Sequence, residues 1–335
     1  MAKEIVHAYS SPGDLIFDPF AGSGAIALES LIAGREIVCA DINPYAVTLI
    51  QAKLTAPHSS EAAFRRAAEV LDCALERSHT VSLEHVPEWV RSFFHPQTLQ
   101  EIMQFTKMTL QNNDSFLMTC LLGILHHQRP GFLSYPSSHL VPYLRSRKFP
   151  KEEFPELYDY RPLKPRLMAK ISRVYKRPAK FDLSLSRECW RADVRDFQLN
   201  PSCVDAIITS PPYMDALDYA RDNRLRLWFL GVEDYKRYDA RFGSLNSFSE
   251  LMTVFLVNAL RWLRDEAYCV CVVGEVSRKN RSVDIARMIA NIATKNVGGF
   301  VLESIVTDEI PDIRRSRKGS YVKTESIVSL VKRRK

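Results

Sequence analysis

The strand, turn, helix and strand pattern near the N-terminus constrains the fold more than any other feature of the sequence. Leu15–Phe17 is a short apolar run, which the turn residues Asp-Pro-Phe-Ala-Gly-Ser-Gly of 18–24 interrupt. Residues 25–33 carry apolar side chains at helical spacing, and a second apolar run over 36–40 ends at Asp41. A strand, a crossover helix and a strand in this order predict a parallel pair.

The same alternation resumes after residue 200. Apolar runs predict strands, helical spacing predicts helices, and Ser247–Glu250 is a candidate capping box at a helix start. The predicted elements are a strand at 204–208, a helix at 251–262, a strand at 268–273, a helix at 282–296, and strands at 300–306 and 326–331. This alternation predicts an α/β fold with a largely parallel sheet.

Residues 57–179 interrupt the alternation and are too many for a connecting loop. They contain two helical patterns and a basic end, since twelve Lys or Arg residues stand against four Asp or Glu over 142–181. The sequence therefore predicts one α/β domain built from 1–56 and 180–335. Residues 57–179 form an inserted, mainly helical and basic subdomain in this interpretation.

Composition excludes several classes of protein. Hydrophobic residues make up 46% of the 335 residues and charged residues 25%, which is typical of soluble globular chains. No apolar run approaches the roughly 20 residues that a membrane span needs, and the N-terminus lacks a secretory pattern, so we expect a cytoplasmic protein without a membrane partner. The seven cysteines form no CxxC and the adjacent His126 and His127 would chelate poorly, so we expect no metal.

The turn at 18–24 is a candidate ligand site. Glycines between a strand and a helix let the backbone approach a ligand closely, and Asp41 ends the next strand, where a carboxylate can accept both hydroxyls of a ribose. Ala27 breaks the G-x-G-x-x-G spacing, which disfavours a dinucleotide site. From these residues alone, a purely structural turn is an equal alternative.

A second motif, Thr-Ser-Pro-Pro-Tyr at 209–213, follows the strand at 204–208 directly. Two prolines there predict a rigid, extended turn at the carboxyl edge of the sheet, where ligands bind in open α/β folds. Ser210 and Tyr213 would add a hydrogen-bond acceptor and a stacking face. The alternative is a proline-stiffened loop with a core tyrosine.

Together the two motifs resemble those of the amino-methyltransferases of DNA, which use S-adenosylmethionine (SAM). In that family D-P-F-x-G-S-G is the cofactor turn and S-P-P-Y is the catalytic loop, and both are intact here. The resemblance covers about 5–52 and 186–333. It implies a Rossmann-like SAM-dependent methyltransferase fold with a mostly parallel seven-stranded sheet.

The resemblance also implies a role for each motif residue. Asp18 and the backbone of the turn would hold the methionine part of SAM, Asp41 the ribose hydroxyls, and Asp193, with Asp196 as a rival, the adenine amino group. The implied cofactor-binding residues are Asp18, Pro19, Phe20, Ala21, Gly22, Ser23, Gly24, Asp41, Ile42 and Asp193, and the implied catalytic residues are Ser210, Pro211, Pro212 and Tyr213.

The chemistry that these residues imply is direct methyl transfer to an exocyclic amine. The Ser210 hydroxyl and the Pro211 carbonyl would accept the hydrogens of the amine, and the base would be flipped out of the duplex and stacked on Tyr213. Carbon-5 methylation needs a cysteine that follows a proline in its own family, and the chain has no Pro-Cys pair.

The resemblance favours site-specific methylation of cytosine N4 in double-stranded DNA, because serine opens the loop. Adenine-N6 methylation, methylation of RNA amino groups and a SAM-binding or DNA-binding subunit without catalysis are the alternatives, and a cognate restriction endonuclease is a candidate partner. The cofactor turn precedes the catalytic loop here, so residues 57–179 are the candidate target-recognition region. Their interleaved tyrosines are Tyr143, Tyr158, Tyr160 and Tyr175.

Overall fold

The computed structural model describes residues 1–126, 132–135, 150–212, 221, 223–238, 244–274, 276–278, 281–309 and 324–334. Its helices are α1 (Ala2–Tyr9), α2 (Ala25–Ile32), α3 (Pro44–Leu54), α4 (Ser60–Ser78), α5 (Glu88–Arg91), α6 (Pro96–Gln111), α7 (Ser115–Leu122), α8 (Leu163–Val174), α9 (Arg224–Phe229), α10 (Leu245–Trp262) and α11 (Ile285–Asn291). Its strands are β1 (Leu15–Asp18), β2 (Glu36–Asp41), β3 (Arg187–Arg191), β4 (Val204–Thr209), β5 (Leu263–Gly274), β6 (Val276–Arg278), β7 (Arg281–Val283), β8 (Phe300–Glu309) and β9 (Thr324–Lys332).

Seven strands form one sheet in the order β3-β2-β1-β4-β5-β9-β8. The first five are parallel, whereas β9 runs antiparallel to β5 and β8 antiparallel to β9. This confirms the predicted α/β fold of the Rossmann-like methyltransferase type. Because β1 lies between β2 and β4, the loops after all three strands lie at the same carboxyl edge of the sheet.

The chain divides into two compact units. The first contains Met1–Ile50, Ala179–Tyr219 and Tyr238–Lys335, and the second contains Gln51–Pro178 and Ala220–Arg237. The second unit is helical and includes α9, although the sequence pattern had assigned those residues to the α/β domain. Contacts within the unit explain this, because the Arg224 guanidinium lies 4.0 Å from the ring centroid of Trp89 and the Arg226 Nε donates to the Leu122 carbonyl.

Helix α10 covers the sheet of the first unit with one apolar face. Phe248, Phe255 and Trp262 follow helical spacing and are all buried. The ring of Trp262 meets Phe17 of β1 edge to face at 5.2 Å, and Phe255 meets Phe20 at 5.4 Å. The turn at 18–24 is thus built directly onto the core, which fixes its backbone.

Two predicted helix starts were wrong by a few residues. Ser244, not Ser247, caps α10, and its hydroxyl accepts a hydrogen bond from the Ser247 amide. The helix predicted from residue 282 begins only at Ile285, because Ser282 lies in β7 and Asp284 provides the cap. Among the described residues, no helix combines the length and apolar character needed to cross a membrane.

Candidate active site

The turn between β1 and α2 depends on two glycines in the left-handed region. Gly22 has φ +50° and Gly24 has φ +70°, and the Gly24 amide donates to the Ala21 carbonyl at 2.7 Å. A Cβ on Gly24 would stand 2.8 Å from Cγ1 of Ile50, so helix α3 packs against bare backbone there. Gly22, in contrast, is exposed, which leaves its backbone accessible to a ligand.

Asp41 ties the end of β2 to this turn. One carboxylate oxygen accepts the Gly22 amide at 2.8 Å, and the other accepts the Asn43 amide at 2.8 Å. Burial raises the pKa of Asp41, and the two backbone hydrogen bonds oppose that rise. Each oxygen keeps capacity for a second hydrogen bond, so the carboxylate can accept the two hydroxyls of a ribose. Ile42 follows it with 43% of its surface exposed.

Asp18 turns into the protein rather than toward solvent. Its side chain is 2% exposed, and its Oδ1 accepts the Thr209 hydroxyl at 2.6 Å and the Phe20 amide at 3.3 Å. Desolvation by burial raises the pKa of Asp18 to about 7, while these two hydrogen bonds lower it and the charge of Asp41 raises it. Asp18 therefore fixes the start of the turn through the Phe20 amide and the Thr209 hydroxyl.

The proline loop begins at the same edge of the sheet. The Phe20 amide lies 3.3 Å from the Thr209 hydroxyl, so the structure brings the two sequence motifs into contact. The Ser210 hydroxyl is exposed and donates to the Val272 carbonyl at 3.1 Å. Pro211 is buried and Pro212 half-buried, whereas Tyr213 lies outside the described residues and its stacking role stays a prediction.

Asp193 lies just beyond β3, beside the end of β2. The amide of the preceding Ala192 donates to the Asp41 carbonyl at 3.2 Å. Both carboxylate oxygens of Asp193 are paired with Arg195, at 2.9 and 2.5 Å, and this pairing holds the pKa of Asp193 below its usual range. An adenine amino group would therefore share these oxygens with Arg195. The rival Asp196 is exposed.

No role was predicted for Thr209 within its motif, and neither Asn43 nor Asn258 was singled out from the sequence. Thr209 bridges the motifs, Asn43 closes the Asp41 turn, and the Asn258 amide donates to the Val194 carbonyl at 3.1 Å and so fixes the segment after β3. Two signals were available. Thr209 is a polar residue that ends an apolar strand, and Asn258 occupies a core position of an apolar helical face.

The described part of the chain shows no group of three His, Cys, Asp or Glu residues that could hold a metal ion. The cysteines beside the cofactor turn are poor nucleophiles. Cys39 and Cys189 are paired in register between β2 and β3, and burial raises the pKa of both thiols, that of Cys189 to about 12. Because a raised pKa keeps these two thiols protonated, they do not favour a mechanism with a covalent cysteine intermediate.

A family model described as DNA methylase, of the N6/N4 methyltransferase type, matches residues 1–52. Among curated proteins, the Type II methyltransferase M.BsoBI of Geobacillus stearothermophilus is 23% identical over 321 residues, which cover 87% of this chain and 60% of that protein. The Type II methyltransferase M.XycI of Xanthomonas campestris pv. cyanopsidis is 35% identical over 60 residues, which cover 18% of this chain and 20% of that protein. The chain thus spans less than two thirds of either relative.

The solved structures to which the chain is similar are more distant in sequence. A SAM-dependent methyltransferase of Methanosarcina mazei is 10% identical, with 99% of this chain and 98% of that chain covered and a TM-score of 0.42. TrmN of Thermus thermophilus is 12% identical, with 99% of this chain and 48% of that chain covered and a TM-score of 0.39.

The cofactor is S-adenosylmethionine, and the residues present fit it. The exposed Gly22 backbone leaves room for the methionine part, and the Asp41 carboxylate stands beside the turn with acceptor capacity for the ribose. The match at residues 1–52 covers this turn, and the proline loop that contacts it completes the motif pair. By these findings, residues 1–52 match the N6/N4 type of DNA methylase, and the chain is similar to Type II methyltransferases.

Proposed function

We propose that this chain transfers a methyl group from SAM to an exocyclic amino nitrogen of a DNA base, with N4 of cytosine as the favoured acceptor. The contact between the Phe20 amide and the Thr209 hydroxyl carries the proposal, because it joins the cofactor turn to the proline loop at one edge of the sheet. The family match and the two Type II methyltransferase relatives support DNA as the substrate.

Ser210 provides the acceptor for the amine. Its hydroxyl hydrogen is donated to the Val272 carbonyl, so toward a base amine the oxygen can only accept. Accepting an amine hydrogen in this fixed geometry turns the nitrogen lone pair away from the ring, and the Pro211 carbonyl would take the second hydrogen. SAM supplies the activated methyl group, and the chain supplies orientation.

The choice of base rests on the resemblance of the loop. Serine offers a neutral acceptor at 210. In the family that the loop resembles, serine at that position leans toward cytosine N4, whereas Asp or Asn leans toward adenine N6. Either base must leave the duplex to reach a site at the edge of the sheet. Adenine N6 is therefore the alternative acceptor on the same geometry.

A basic surface of the helical unit suits contact with the DNA backbone. Arg173, Lys176 and Arg177, hereafter the basic end of α8, are all exposed and close in sequence. Phosphate contacts of this kind position a protein on a duplex and contribute a salt-dependent affinity. We infer that residues 57–179, all but the last of which belong to the helical unit, provide target recognition.

Nucleoside analysis after incubation with labelled SAM tests the proposal. Duplex DNA is expected to yield N4-methylcytosine, and N6-methyladenine would instead support the alternative base. Label found only in RNA would overturn the assignment to DNA, and failure of the wild-type protein to bind SAM would overturn it altogether.

Ser210→Ala tests the acceptor role within the same assay. Loss of a hydrogen bond to the developing charge is expected to lower the rate roughly 10- to 100-fold at saturating substrates. Ser184→Ala removes a hydroxyl that donates to the nearby Asp182 and is the matched control. Equal rates in the two variants would contradict the role of Ser210.

A further inference from the structure

Thr209 connects the two halves of the site through one buried hydroxyl. Its side chain is 0% exposed, its Oγ1 lies 2.6 Å from Oδ1 of Asp18, and the Phe20 amide lies 3.3 Å from the same hydroxyl. Asp18 and Phe20 begin the cofactor turn, and Thr209 directly precedes Ser210. One side chain thus contacts the carboxylate and the backbone of the turn while belonging to the strand that presents the acceptor.

The start of the proline loop is held from both neighbouring strands. Thr209 bonds toward β1 through Asp18, and Ser210 bonds toward β5 through the Val272 carbonyl. Strand β4 lies between β1 and β5 in the sheet. Opposed contacts on consecutive residues restrict sideways movement of the loop more than either contact alone.

Packing alone does not account for a threonine at this position. Valine has the same shape and an equal preference for strands, and it avoids the cost of burying a hydroxyl. The rest of β4 is apolar apart from Asp205, which accepts the Leu15 amide at its opposite end. The hydroxyl of Thr209 is explained by its partners in the cofactor turn.

We propose that Thr209 is a positioning residue that fixes the distance between the cofactor turn and the acceptor at Ser210. The inference rests on the proposed methyl transfer and deepens it. Thr209 touches neither reacting atom in this account. Its hydroxyl acts through Asp18 and Phe20, so its loss should impair transfer more than it impairs cofactor binding.

The test compares Thr209→Val, Thr209→Ser and the matched control Thr253→Val. Thr253 donates its hydroxyl to the Ser249 carbonyl within α10, away from both motifs in sequence. At saturating SAM and substrate, Thr209→Val is expected to lower the transfer rate at least about 10-fold, while Thr209→Ser stays within about threefold of wild type and Thr253→Val is unchanged. Thermal unfolding establishes that each variant is folded, and Thr209→Ala replaces the valine variant if that one is not.

Hydrogen exchange supplies a readout that needs no acceptor base. SAM is expected to slow exchange over 18–24 and also over 204–212 in the wild-type protein and in Thr209→Ser. In Thr209→Val only the first segment should stay protected. A wild-type protein that does not bind SAM would overturn the proposed function. If the wild-type protein binds SAM, and Thr209→Val equals it in transfer rate and in protection over 204–212, the role of Thr209 alone is overturned.

Discussion

Replacing Asp18 by Asn should stabilise the protein at neutral and alkaline pH. Asn keeps the Oδ1 acceptor for the Thr209 hydroxyl and the Phe20 amide, but it removes a carboxylate that is 2% exposed. The pKa of Asp18 is raised from 3.8 to about 7, mainly by desolvation, so the folded state favours the protonated form. The free energy of unfolding of the wild-type protein therefore falls as the pH rises from 3.8, the pKa in the unfolded chain, to about 7, the pKa in the folded protein. Above pH 7 the ionised carboxylate destabilises the folded state by its full amount.

The size of the effect follows from that interval. One pH unit corresponds to about 1.4 kcal/mol, so ionised Asp18 costs the folded state about 4 kcal/mol at pH 8. Part of this destabilisation is already present at pH 5, because pH 5 lies above the unfolded pKa of 3.8. Between pH 5 and pH 8, the free energy of unfolding of Asp18→Asn should therefore rise by about 3 kcal/mol relative to wild type.

Urea unfolding at pH 5, 6, 7 and 8 measures this difference. Asp72→Asn is the control, because Asp72 is an exposed carboxylate 2.6 Å from Lys164 and its replacement should change stability by less than about 1 kcal/mol. A difference between Asp18→Asn and wild type that stays constant from pH 5 to pH 8 would refute the reasoning.

Four further outcomes are expected. Asp41→Ala should weaken SAM binding about 10- to 100-fold, because it removes the ribose acceptor and the carboxylate that accepts the Gly22 amide. Calorimetry measures the affinity, and an unchanged value would contradict the role of Asp41. Gly24→Ala should lower the free energy of unfolding by about 2–5 kcal/mol, through backbone strain and the contact with α3, whereas Gly13→Ala, with open space around it, should cost only about 1–2 kcal/mol. Tyr213→Ala should lower turnover strongly at near-normal SAM affinity, and full turnover would remove the stacking role. Reversing all three charges at the basic end of α8 should weaken DNA binding and flatten its salt dependence in a fluorescence titration, and an unchanged slope would place the phosphate contacts elsewhere.

The sequence predicted the centre of the fold well because buried parallel strands are continuous apolar runs. Strands β1, β2 and β4 and the helix α2 lie where the pattern placed them. Strand β3 was missed, since residues 187–191 form a polar edge strand with the pattern Arg-Glu-Cys-Trp-Arg. Its pairing with β2 is a tertiary property that no local run reveals.

The candidate site was predicted in composition but not in orientation. Glycines, acids and prolines are visible as motifs, so residues 18–24, Asp41 and 209–213 could be selected from the sequence. The inward orientation of the Asp18 side chain could not be predicted, because its partner Thr209 is 191 residues away along the chain. The assignment of α9 to the helical unit likewise depends on a distant contact, between Arg224 and Trp89.

The separation of 191 residues between Asp18 and Thr209 also affects the order of events during synthesis of the chain. Strands β1 and β4 are neighbours in the sheet, yet at translation rates of about 5–20 residues per second roughly 10–40 s pass between the synthesis of Asp18 and that of Thr209. Throughout that interval the nascent cofactor turn lacks the strand that shields its carboxylate. Ribosome-bound chains that end before β4 should therefore be unable to retain SAM, and cofactor capture becomes a late event in biogenesis.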